Sequence, residues 1–220
     1  MTTPYSRFVS LALLLLGSIF AALPAHAQPG RCVKRPPGEL LAAFVREHRT
    51  PPGESPGPSW EVSQVLAYPE TYPRADLQIF LQGLEQLALT GDSPRLRAAA
   101  ALSLSLPGSR RKPNPVRGTA GRLARIYRQA SDPHVRGVIV SAMADLAERT
   151  EALAFLERIA TQSPEEADFP GAASMSLGTL VAMDTEGRAV LRRLHETGAV
   201  RDPEARHSLA VLASREYRIN

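Results

Sequence analysis

Four stretches decide the fold: Gly91-Asp92-Ser93-Pro94-Arg95-Leu96-Arg97, Ser131-Asp132-Pro133-His134-Val135-Arg136, Ala167-Asp168-Phe169-Pro170-Gly171-Ala172 and Arg201-Asp202-Pro203-Glu204-Ala205-Arg206. Each sets an Asp just ahead of a Pro and an apolar or Ala-rich run. An Asp carboxylate accepts hydrogen bonds from the orphan N–H groups of a helix's first turn. A Pro in that turn has no N–H to leave unpaired, and its φ is already near the helical value. One such signature marks a helix start. Four mark a period: the Asp-to-Asp steps are 40, 36 and 34 residues, room for two helices and two turns.

The residues between these starts keep helical spacing. Leu77, Leu81, Leu84 and Ala88 recur at steps of four and three, as do Leu123, Ile126, Tyr127 and Ala130. Val135, Ile139, Ala142 and Leu146 follow the same rule, and so do Leu153, Leu156 and Ala160, then Val190, Leu191 and Leu194, then Ala205, Leu209 and Leu212. None of these runs alternates with the period of two that a half-buried strand needs. Aromatic residues make up only 5% of the 220, and Ala and Leu dominate the 44% that is hydrophobic, which weighs against a β-sandwich. The expected fold is all-α. Paired helices at a period of 34 to 40 residues further predict an α-solenoid of about four antiparallel pairs, because one pair cannot bury its own apolar face and neighbours must stack. The expected pairs run over about 74–106, 116–148, 150–183 and 185–217. Small residues such as Ala98 to Ala101, Ala172, Ala173 and Gly178 allow close helix approach.

Asp-Pro-x-(Val/Ala)-Arg ahead of an Ala/Leu helix resembles the HEAT repeat, and most of all the short HEAT-like variety also found in the phycobilisome lyases. Asp132 to Arg136 and Asp202 to Arg206 match the pattern; Asp92 to Arg97 matches with one extra residue. Asp168 to Ala172 departs from it, because Phe169 intrudes and no Arg follows. The resemblance covers roughly Arg74 to Tyr217 and concerns a fold rather than an activity. It implies that the Asp and Arg of neighbouring repeats bond to one another along the inner edge of the stack. On that reading Asp92, Arg97, Asp132, Arg136, Asp202 and Arg206 are structural inter-repeat residues, with ligand contact as the competing role.

The chain ahead of the repeats has a different character. Arg7, the apolar run Phe8 to Leu23, Pro24 and then Ala25-His26-Ala27 follow the layout of a bacterial secretory signal peptide with its A-x-A cleavage site. The run of 16 residues is short for a membrane span of about 20. Domain expectations are therefore a signal peptide at 1–27, a Pro-rich lead at 28–73 and a repeat domain at 74–220. The lead holds nine of the 19 prolines, with two short helical candidates, Glu39 to His48 and Trp60 to Tyr68. Trp60, the only Trp, would cap the edge of the core or meet a partner. Cys32, the only Cys, would be inert or would pair between chains, and Arg31 in front of it breaks the lipoprotein pattern. No later run is long and apolar enough to span a bilayer, so no stable membrane insertion is expected once the signal is removed.

Motifs for chemistry are missing. His48, His134, His195 and His207 form no H-x-x-x-H or H-E-x-x-H pair, so no metal site is expected. There is no G-x-S-x-G elbow and no glycine-rich phosphate loop, and Glu165-Glu166 do not converge on one helix face. No catalytic residue, cofactor or metal is expected. The chain carries 24 Arg, two Lys and a net charge of +4, which falls to +3 when Arg7 leaves with the signal. Arg110, Arg111 and Lys112 sit in the Pro-rich insertion Pro107 to Pro115 and read as a solvated loop. Export removes the chain from most nucleic acid, so no nucleic-acid partner is expected, whereas acidic partners or an anionic envelope surface suit the charge. The expected role is an exported, periplasmic or secreted scaffold that is not an enzyme and binds a protein or peptide on its concave surface. The alternative is a structural envelope-associated protein binding acidic surfaces; a lyase-type enzyme would need a tetrapyrrole-sized pocket. Intact-mass measurement on the exported protein should show a mature chain beginning at Gln28, and a mass that retains residues 1–27 would contradict the cleavage reading.

Overall fold

The computed structural model describes residues 35–49, 62, 65–66, 68–105 and 116–216, with side chains described to residue 213. The signal region, Cys32, Trp60 and the insertion Pro107 to Pro115 lie outside the described residues. The fold is all-α. The helices are α1 (Pro37–Arg49), α2 (Arg74–Thr90), α3 (Pro94–Ser105), α4 (Thr119–Gln129), α5 (Pro133–Ala142), α6 (Arg149–Ala160), α7 (Ala172–Val181), α8 (Asp184–Thr197) and α9 (Pro203–Glu216). Short 3-10 turns at Pro69–Thr71 and Met143–Asp145 link them.

Two helix series can be traced through the packing. The first helices touch in order, α2 against α4, α4 against α6 and α6 against α8. The second helices do the same, α3 against α5, α5 against α7 and α7 against α9. Each first helix also packs on the second helix that follows it. The apolar residues spaced along the sequence supply these contacts: Leu81, Leu84 and Ala88 of α2, Leu123 and Ile126 of α4, Ile139 and Val140 of α5, and Leu156 and Ile159 of α6 are all buried. They belong to one continuous hydrophobic core.

Helix α1 also enters that core. Leu40 and Phe44 are buried with Val62, Val65, Leu66 and Tyr72, and α1 packs on both α2 and α3. The Tyr72 hydroxyl donates to the Arg35 carbonyl at 2.7 Å, tying the chain before α1 to the chain before α2. The described residues accordingly form one compact unit.

Polar atoms join the layers as well. The buried Ser176 hydroxyl donates to the Leu156 carbonyl at 2.6 Å, bonding α7 to α6. Tyr127 of α4 and Phe155 of α6 meet edge to face with centroids 5.1 Å apart, a favoured aromatic geometry. The Glu148 carboxylate, just ahead of α6, accepts from the Gly118 and Ala120 backbone N–H groups at the start of α4. It thereby satisfies two orphan donors of that helix and places negative charge at its positive end.

Two close approaches require glycine. A Cβ on Gly83 would run into the Leu41 side chain where α1 lies on α2. A Cβ on Gly187 would meet the Leu180 carbonyl, with the carbonyl carbon at 2.9 Å, where the end of α7 faces α8. The obstacle is a movable side chain at the first site and backbone at the second. Gly187→Ala should therefore destabilise by about 1–3 kcal/mol and Gly83→Ala by less. Both should appear as a lower urea midpoint at unchanged m-value, and the reverse order would contradict this packing.

Candidate functional site

The predicted Asp and Arg residues all lie at the start of second helices, and their partners are specific. Asp132 is the N-cap of α5, where its Oδ1 accepts from the His134 N–H at 2.9 Å. Its Oδ2 accepts from Arg97 Nη2 at 2.8 Å, across from α3. Arg97 also donates through Nη1 to the Gly91 carbonyl at 2.8 Å. One guanidinium thus binds the start of its own helix and the start of the next second helix. Arg136 makes the same reach one step on, donating to the Asp168 backbone carbonyl at 2.7 Å with the Asp168 carboxylate at 3.7 Å. At the other end Arg49 of α1 pairs with Asp92. The series runs Arg49 to Asp92, Arg97 to Asp132, and Arg136 to Asp168.

The series stops at the third pair. Phe169 and Pro170 precede a turn through Gly171, whose φ of +78° suits glycine, and α7 begins only at Ala172. The position that would carry the next Arg is the buried Ala173. Asp202 therefore receives no Arg and uses its Oδ1 to cap α9 through the Ala205 N–H at 2.7 Å. Arg206 turns back to the Val200 and Arg201 carbonyls at 3.1 and 3.2 Å. The last two helix pairs are joined on this edge by Arg201 and Glu166 instead, a 3.3 Å pair whose side chains are 63% and 56% exposed.

The capping rule also needs one correction. At the first start Ser93, not Asp92, supplies the cap, its Oγ accepting from the Leu96 N–H at 3.2 Å. The extra residue in that stretch moves Asp92 out of capping position and leaves it facing Arg49.

Sequence reading did not foresee the polar group around Asp168. Besides Arg136, Gln162 Nε2 donates to its Oδ2 at 3.3 Å. The buried Tyr127 ring lies beneath the Arg136 guanidinium, 5.8 Å from its centroid. Burial, reinforced by the adjacent Asp168 carboxylate, pushes the Tyr127 phenol well above its ordinary value and keeps it protonated. These groups come from α4, α5 and the α6–α7 connection, so no local pattern links them. Arg49 was likewise missed, because it ends a helix in the Pro-rich lead.

The first helices carry a second set of ion pairs. Glu85 of α2 accepts from Arg122 at 3.2 Å and Arg125 at 2.6 Å on α4. Glu157 of α6 accepts two bonds from Arg193 of α8 at 3.2 and 2.6 Å. No family model, curated protein or solved structure matches the chain. The candidate site is accordingly defined by surface chemistry.

On that basis the second helices stand out. Beyond its Arg, α3 reads AAAALSLS, α5 reads GVIVSA, and the whole of α7 reads AASMSLGTLV, all uncharged. Ala99, Leu102, Val138, Ser141 and Met175 are half-buried, and Val181 is exposed. An uncharged face thus runs along α3, α5 and α7, bordered at their N-terminal ends by the Arg–Asp series. A groove of about 470 Å³ lies elsewhere, between α1 and α2, lined by Leu41, Val45, Arg46, Arg49, Gly83 and Leu87 among others. No cluster of metal-ligating side chains occurs among the described residues.

The Asp132 contact has a pH signature. Partial burial alone would raise its carboxyl, but the Arg97 bond and the His134 N–H outweigh burial and hold it below the ordinary aspartate value. A carboxyl depressed by folding stabilises the fold above its unfolded value of about 4 and ceases to do so as pH falls through its lower folded value. The stability gap between wild type and Asp132→Asn, measured by urea unfolding, should be up to about 1 kcal/mol at pH 7 and should close toward pH 3. A gap that does not change with pH would show that the charge of Asp132 contributes nothing.

Proposed function

We propose that this chain is an exported, non-catalytic scaffold whose helices form a HEAT-like α-solenoid of four antiparallel pairs. On this reading α2–α3, α4–α5, α6–α7 and α8–α9 are the repeats, and α1 covers the open end of the first. The ordered contacts within each helix series support the stacking, and the Arg97–Asp132 and Arg136–Asp168 contacts support the repeat register. The signal-like N-terminus supports export to the periplasm or beyond.

The observation that carries the binding role is the uncharged face of α3, α5 and α7. A solvent-facing helix surface in a monomer is ordinarily charged, and the first helices α4, α6 and α8 follow that rule. The second helices break it where a stacked array forms its inner, concave wall. Half-buried small and apolar side chains in a row suit a protein or peptide segment that lays apolar residues along them.

A photo-crosslinking residue at Val138 or Val181, in protein recovered from its native envelope, should trap a partner at near-stoichiometric yield. The same residue at Ile79, exposed on α2, should not. A chain that remains alone with the crosslinker at Val138 and at Val181 would overturn the proposal.

A further inference from the structure

The first helices present arginines that enter none of the cross-helix ion pairs. Phe155 of α6 locates their middle. Tyr127 of α4 packs on that ring from one side at 5.1 Å, and the Arg158 guanidinium lies 5.3 Å from its centroid. Arg128, next to Tyr127, therefore sits on the turn of α4 neighbouring Arg158. On the other side, the two bonds from Arg193 to Glu157 bring the Arg192–Arg193 turn of α8 against the Glu157–Arg158 turn of α6. Arg128, Arg158 and Arg192 thus occupy neighbouring turns of α4, α6 and α8, and all three side chains are exposed.

Two of the neighbouring carboxylates are already taken, while Glu196, one turn beyond Arg192, is exposed. Glu85 is shared by Arg122 and Arg125, and Glu157 is held by Arg193. Among the described residues Arg128, Arg158 and Arg192 have no carboxylate within ion-pair distance. All three residues are exposed, Arg158 with its guanidinium near the Phe155 ring, and an arginine fork not held in an ion pair can take a carboxylate.

We infer that this row is a docking strip for an extended acidic segment of a protein partner, separate from the uncharged face of the second helices. Packed helix axes are about 8–10 Å apart, and an extended chain advances about 3.3 Å per residue. An acidic side chain at every third residue would therefore meet one arginine per helix. A flat anionic lipid surface fits less well, because it would also press on the Glu157 carboxylate, which bridges α6 and α8 beside the arginines. The strip does not depend on the role assigned to the second helices, and its test leaves that face untouched.

A fluorescent peptide of Glu-Ser-Ser repeats, titrated by anisotropy at low salt, should bind the protein, and the affinity should fall as salt rises. Arg128→Gln with Arg192→Gln should weaken binding about tenfold, roughly the loss of two exposed charge pairs. Arg74→Gln with Arg117→Gln removes the same charge from two other exposed sites and should change binding by less than about twofold. An equal loss in both double variants would reduce the effect to net charge and overturn the strip. So would phosphatidylglycerol vesicles whose binding drops in Arg128→Gln/Arg192→Gln while peptide binding does not.

Discussion

A pair of short Ala- and Leu-rich helices cannot bury both of its apolar faces, and most of this architecture answers that constraint. α4 and α5 touch each other, but Leu123, Ile126, Ile139 and Val140 become fully buried only with α2, α3, α6 and α7 on either side. Burial of apolar surface supplies the main driving force, and it is non-directional. Register has to come from elsewhere. Arg97 and Arg136 provide it by bonding across to the start of the next second helix, at Asp132 and Asp168. Such partly covered ion pairs add little net stability, but they penalise a shifted stack by leaving a half-buried charge unpaired.

The ends of the array are handled differently. At the N-terminal end α1 packs on the first two helices of the series. It covers α2 and α3 with Leu40 and Phe44, and its last residue, Arg49, pairs with Asp92. At the C-terminal end the series lapses. Ala173 leaves Asp202 to its own helix, Arg206 folds back on its own turn, and the link to the last pair on that edge passes to the exposed Arg201–Glu166 contact. Exposed pairs are screened by salt and contribute least, so α8 and α9 depend mainly on apolar packing.

The two helix series also divide the surface chemically. First helices hold some of their charges in cross-helix pairs, Glu85 with Arg122 and Arg125, and Glu157 with Arg193, and leave Arg128, Arg158 and Arg192 exposed. The second helices α3, α5 and α7 have almost none to hold. Two faces of opposite character on one array give the proposed scaffold two separate ways to engage partners, one by apolar contact and one by charge.

The all-α class was legible in the amino-acid sequence, because the 3.6-residue period and the Asp/Pro helix starts are local signals that any chain with those residues obeys. The second helices of the described residues begin at or within a few residues of the Asp/Pro signals. The second-helix starts at Pro133 and Pro203 follow the Asp/Pro rule, the start at Pro94 is capped by Ser93 instead, and Phe169 and Gly171 delay α7 to Ala172. Asp92, Arg97, Asp132 and Arg136 could be singled out by the spacing of a repeat. Their partners could not all be, since Arg49 arrives from the Pro-rich lead, Asp202 loses its Arg to a small buried alanine, and Tyr127, Gln162 and Asp168 meet from three separate elements. A helix start depends on a few consecutive residues. Which carboxylate an arginine reaches depends on how two helices some 35 residues apart are set against each other, and only the packed core determines that.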